Sequence, residues 1–177
     1  MRKVNFIIML SIIFTTVLFG QKTFTLSSND LGGEFTPKQD CSGDNQSPHL
    51  IWKNAPEGTK SFAITMYDPD APTGSGFWHW VVFDIPVNVN ELVTNAGNIE
   101  LNLAPKGVIQ SNTDYGKRGY GGPCPPEGHG FHQYIFTVYA LKIDKLGLNE
   151  NATPAIVGAN LWYNTLAKAS IIAYYKR

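Results

Sequence analysis

The sequence predicts a mainly β domain, a β-sandwich with one or two peripheral helices. Three observations carry this. The chain of 177 residues is 12% aromatic and holds 17 Gly and 11 Pro, a composition of strands and turns rather than long helices. Three long apolar runs, Ser61–Tyr67, Phe77–Ile85 and Gln133–Leu141, are non-polar on both faces, as central strands covered on both sides are. No strand–helix–strand rhythm of a parallel sheet occurs.

In chain order, Thr23–Leu26 alternates like a short strand. Residues 29–48 read as loop, and His49–Trp52 as a second short strand. Asn54–Gly58 is a turn. Gly107–Gln110 is a weaker strand. Residues 111–132 form a long Gly- and Pro-rich loop, and its aromatics mark it as ordered and functional. Thr153 followed by Pro154 is a helix start, with a hydroxyl N-cap and proline at the first helical position. Ile156, Leu161 and Leu166 suggest one apolar face over residues 154–167. Ser170–Tyr175 reads as a final strand, with continued helix as the alternative.

Residues 1–20 read as a signal peptide and residues 21–177 as a single domain. Arg2 and Lys3 precede an uncharged apolar stretch, and Gly20 suits a cleavage position. The alternative is a retained membrane anchor. After cleavage no membrane span is expected, and the protein is periplasmic or secreted. The chain is formally neutral. Losing Arg2 and Lys3 leaves 12 basic against 14 acidic residues, with no basic run for nucleic acid. Cys41 and Cys124 leave two readings, one disulfide or two buried thiols.

Three segments carry chemistry. In Asp68-Pro69-Asp70-Ala71-Pro72, two prolines stiffen the exit from a strand and hold the carboxylates in place; the alternative is that Asp68 and Asp70 only cap the turn. Trp78-His79-Trp80 buries a histidine within an apolar strand. Hairpin spacing brings His79 towards Asp68. In the segment from Gly121 to Tyr134, glycines permit close approach of a ligand. His132 and Tyr134, two apart on a strand, share a face. His129 is expected to face solvent.

DPDAP, then GFWHWVVFDIP, then GYGGPCPPEGHGFHQYIFTVYAL, with CSGDNQSP near residue 41, resemble the phosphatidylethanolamine-binding protein family. The likeness is greatest to its bacterial Raf kinase inhibitor-like (YbhB/YbcL) branch. It spans roughly residues 24–177. The resemblance implies two antiparallel sheets and a shallow pocket at one end. Asp68, His79, His132 and Tyr134 would line that pocket, with Cys124 and Pro126 at its wall and Asp70 beside it. It also implies a small anionic ligand (phosphate, carboxylate or phospholipid head group), no cofactor, no metal and no catalysis. Trp78-His79 replaces the His-His pair of animal members, and the chain stops soon after its last strand, so kinase regulation is not carried over.

An Asp beside a His favours the imidazolium, so anion binding is expected to tighten as pH falls through about 6–7. Two other functions stand beside the binding protein. One is an extracytoplasmic kinase or protease inhibitor with an unnamed protein target. The other is a hydrolase using the His/Asp cluster. Against the hydrolase, no HExxH, GxSxG or GxxxxGK[ST] motif occurs.

Overall fold

The computed structural model describes residues 22–177; the expected signal peptide lies outside them. Eight strands and one helix follow in order: β1 (Thr25–Ser27), β2 (Leu50–Lys53), β3 (Ser61–Asp68), β4 (Phe77–Pro86), β5 (Glu91–Leu92), β6 (Ile109–Gln110), β7 (His132–Leu141), α1 (Pro154–Asn164) and β8 (Thr165–Tyr175). They form two sheets, a three-stranded one in the order β1-β2-β5 and a five-stranded one in the order β6-β4-β3-β7-β8. Every strand pairing is antiparallel.

The three apolar runs become adjacent strands at the centre of the larger sheet. Their alternate residues serve two cores, which explains why neither face is polar. Phe62, Ile64, Met66, Trp80, Val82, Phe136 and Val138 pack on Leu26, Leu50, Trp52 and Leu92 of the smaller sheet. Ala63, Val81, Phe83 and Leu141 on the opposite face pack on Val157 and Leu161 of α1. The result is three layers: small sheet, large sheet, helix.

Helix α1 starts as its sequence dictates. The Thr153 side chain accepts a hydrogen bond from the Ile156 N–H, and Pro154 follows. It ends three residues earlier than expected. Thr165 turns to extended geometry, and both its N–H and its hydroxyl donate to the Leu161 carbonyl. The buried helical positions are Pro154, Val157 and Leu161. Ile156 is half exposed, and Leu166 already lies in β8. The final strand is thus longer than its β-branched tail suggests, because pairing with β7 extends it back to Thr165.

Two irregularities of β4 matter. Asp84 has φ 58° and shifts the register between Phe62 and Ile64, which returns Ile85 to the face of the smaller sheet. Its carboxylate is anchored by the Leu146 N–H at 2.8 Å. The second irregularity lies at His79.

Candidate functional site

Asp68 ends β3 on the same face as Ile64 and Met66, the face that packs on the smaller sheet. One carboxylate oxygen accepts the Asp70 N–H at 2.8 Å. The Asp70 carboxylate in turn accepts the Gln133 N–H at 2.8 Å, which fixes the start of β7 beside the end of β3. Two residues along the pleat, His132 and Tyr134 point to the face that carries Phe136 and Val138. His132 Nδ1 therefore meets Asp68 Oδ2 at 2.8 Å, with both side chains buried.

His79 reaches this face through a bulge. Met66 pairs with Trp80 and Tyr67 with Trp78, so β4 carries one residue more than β3 at this point. Regular alternation would put both tryptophans on one face. Instead Trp80 joins the core under the smaller sheet and Trp78 packs on the helix side. The bulge turns the imidazole of His79 against Tyr134, with ring centroids 5.1 Å apart and nearly perpendicular. Tyr134 stands between the two histidines, its ring 6.4 Å from that of His132. Its hydroxyl is buried and makes no hydrogen bond of good geometry, with the Asp68 carboxylate and the Cys124 N–H as its polar neighbours.

The long loop closes the site from outside. His79 Nδ1 lies 2.9 Å from the Gly121 carbonyl, and the Gly121 N–H returns a bond to the His79 carbonyl. The Tyr115 hydroxyl donates to the Gly122 carbonyl at 3.2 Å and sits 3.4 Å from His79 Nδ1. Gly122 must be glycine, because a Cβ there would run into the backbone of Gln39 and Asp40. Its N–H donates to Asn45 Oδ1. Cys41 and Cys124 form a disulfide, Cα to Cα 5.5 Å, that ties the loop before β2 to this wall.

Electrostatics follow from burial. Desolvation pushes His79 below its ordinary range, against the Gly121 carbonyl and the Asp68 charge. Burial and then Asp68 push the Tyr115 phenol up to about 12, and the same two causes raise Tyr134 further. Both phenols remain protonated donors at neutral pH.

The structure thus brings Asp68, His79, His132 and Tyr134 together, each at most 3% exposed. His79 comes near enough to Asp68 to feel its charge, as the hairpin spacing suggests, while the Asp68 carboxylate bonds His132 and His79 Nδ1 bonds the Gly121 carbonyl. Asp70 and Pro126 are exposed, at the rim. His129 is exposed as expected, but its Nδ1 lies 2.8 Å from His132 Nε2 and covers it. Tyr115 is a site residue that motif reading missed. The one signal for it was an aromatic in an otherwise Gly-rich loop. Along the same loop, Tyr115, Asn45, Asn98, Lys117 and Arg118 line an open groove of about 880 Å³ that shares Tyr115, Gly121 and Gly122 with the wall of the site.

This fold and this convergence define a class. The chain belongs to the phosphatidylethanolamine-binding protein family, whose model matches residues 25–176. Within it the chain is similar to YbhB of Escherichia coli (strain K12), 48% identical over 157 residues, which cover 85% of this chain and 98% of that one. YbcL of the same organism is 43% identical over 170 residues, 92% of this chain and 93% of that one. The crystal structure of E. coli YbcL, described as a member of the mammalian PEBP family, matches with a TM-score of 0.85 at 44% identity. It covers 87% of this chain and 98% of that structure.

Proposed function

We propose that the protein is an exported, non-catalytic binding protein that holds a small oxyanion (phosphate, carboxylate or a phospholipid head group) among Asp68, His79, His132 and Tyr134. The observation that carries this is the Tyr134 hydroxyl. It is a buried donor set between two imidazoles, with no hydrogen bond of good geometry and only the Asp68 carboxylate and the Cys124 N–H as polar neighbours, and a poorly satisfied group of this kind gains from a ligand that completes it. The ligand enters at the rim between Tyr115 and His129. His129 gives way because Gly128 and Gly130, at φ 73° and 88° with open space around both, flank it. A ligand oxygen then takes its place at His132 Nε2, accepting its hydrogen in the imidazolium form whose Nδ1 bonds Asp68.

The disulfide supports export, since such bonds persist in oxidising compartments. It also consumes the thiol that a Cys nucleophile would need. Calorimetric titration with phosphate tests the proposal. One site per chain is expected in the native protein, with affinity lost in His132→Asn. Equal affinity of the two proteins refutes it.

A second reading is an inhibitor of an extracytoplasmic kinase or protease acting through protein contact. One observation favours it: Trp162 and Tyr163 on α1 are 83% and 73% exposed. They lie across the large sheet from the anion site, so the two activities would be separable.

A further inference from the structure

We propose that the outer edge of β8 is a docking site for an extended, acidic segment of another protein, which adds to the large sheet as a further antiparallel strand. β8 is the last strand of that sheet and pairs with β7 along one side. Its other side is covered only near the C-terminal end. There the Tyr174 N–H donates to the Gly33 carbonyl at 2.8 Å, and the Tyr174 carbonyl accepts from the Phe35 N–H at 3.2 Å. Backbone direction alternates along a strand, so the N–H and C=O groups of Lys168, Ser170 and Ile172 face outward like those of Tyr174. Among the described residues these groups have no hydrogen-bond partner. The segment around Glu34 shows that the edge accepts a strand, and it pairs at Tyr174 alone.

Exposed edges are ordinarily blunted by proline, charge or bulges. β8 has no proline and one charged side chain, Lys168, and its register shift lies at its start, beside Leu141. The side chains flanking the open backbone are exposed and largely apolar: Leu166, Ile172 and Tyr174, with Lys168 and Ser170 between them. Ala169, Ile171 and Ala173 alternate with them and face the smaller sheet, so the exposed set stands on the side of α1. On that side a trough of about 580 Å³ runs from Trp78 on β4 past Tyr139 on β7 to Leu166 and Lys168, beside Leu161 and Trp162 of the helix. A strand laid along the edge sets one of its side chains at the mouth of this trough. β8 meets the oxyanion site only near its end, where Tyr175 pairs with His132, and the proposal does not rest on that site.

Charge and backbone chemistry select the occupant. Lys168 is exposed and, among the described residues, in no ion pair. A second copy of β8 brings another lysine and no carboxylate to this edge. A bilayer accommodates the apolar side chains but gives the open N–H and C=O groups no partner. An extended segment with a carboxylate opposite Lys168 and apolar residues opposite Ile172 and Leu166 satisfies both. Its backbone bonds supply affinity and its alternate side chains supply specificity.

Fluorescence anisotropy titration of the native protein with labelled acetyl-Val-Thr-Thr-Thr-Glu-Thr-Phe-amide tests this, together with amide hydrogen exchange. Antiparallel addition sets the peptide's Val opposite Ile172, its middle Thr opposite Ser170, its Glu opposite Lys168 and its Phe opposite Leu166. Binding is expected to slow exchange at Lys168, Ser170 and Ile172 and to leave Ala169 and Ile171, already bonded to β7, unchanged. N-methylation of the peptide's middle Thr and Glu is expected to weaken binding at least about tenfold, and replacement of its Glu by Lys about two- to fivefold. The Ile172→Pro protein, which loses an outward N–H and no bond to β7, is expected to match the N-methylated peptide. No binding, binding indifferent to N-methylation, or protection confined to other amides overturns the proposal. Protection of the same three amides that grows with the concentration of the protein alone also overturns it and assigns the edge to a second copy. Phosphatidylglycerol vesicles that displace the peptide overturn it in favour of a membrane.

Discussion

Tyr134 exposes the trade between stability and function at a single atom. Its hydroxyl makes no hydrogen bond of good geometry within the protein, with Asp68 and the Cys124 N–H nearby, so Tyr134→Phe removes a burial cost and little bonding. Thermal or urea unfolding is expected to show unchanged stability or a gain of about 1 kcal/mol, while phosphate affinity falls about five- to tenfold. His79 behaves differently. Burial places its folded-state pKa below the ordinary 6.5, so the folded protein binds fewer protons than the unfolded chain. The stability this confers is fully present above about pH 6.5 and is lost as the pH falls from there towards the folded-state value. His79→Gln is therefore predicted to flatten the decline of Tm between about pH 7 and 5; an unchanged slope would assign that decline to other groups. The four central residues were legible because each sits in a short, distinctive motif. The pairing of Asp68 with His132 was not, because it depends on β3 and β7 lying side by side, which no local pattern encodes. His129 was correctly placed at the surface, but its approach to His132 is a matter of loop tertiary geometry.

At the scale of elements, the three long strands could be read almost to the residue, since burial on both faces leaves an unbroken apolar run. Short edge elements could not. β5 is only two residues, Glu91–Leu92, and exists because β2 pairs with it. The boundary between α1 and β8 moved for the same reason, as strand pairing with β7 outweighed the helical pattern beyond Asn164. The element that completes the site is the loop from Ser111 to Phe131, and the disulfide secures it. Cys41 and Cys124 are separated by 83 positions, so cross-linking them removes loop-closure entropy worth about 4–5 kcal/mol from the unfolded chain. The Cys41→Ala/Cys124→Ala variant is expected to lose stability of that order, about 10 °C in Tm, and to bind phosphate more weakly because Gly121 and Tyr115 lose their support. A variant with native Tm would show that hydrogen bonds such as Asn45 to Gly122 already suffice.

The whole molecule is a sheet with two different covers. The smaller sheet seals one face but stops short of the end where β3, β4 and β7 bring Asp68, His79, His132 and Tyr134 together, and the long loop roofs what remains. A β-sandwich with a peripheral helix was predictable from composition and periodicity. The unequal sheets and the closed roof were not, because both depend on how distant segments pack. The most direct test of the account is a crystal structure of the protein soaked in phosphate. The anion is predicted to lie between the Tyr134 hydroxyl and His132 Nε2, with His129 swung away from His132. An anion found instead in the groove beside Lys117 and Arg118, with His129 still on His132, would contradict it.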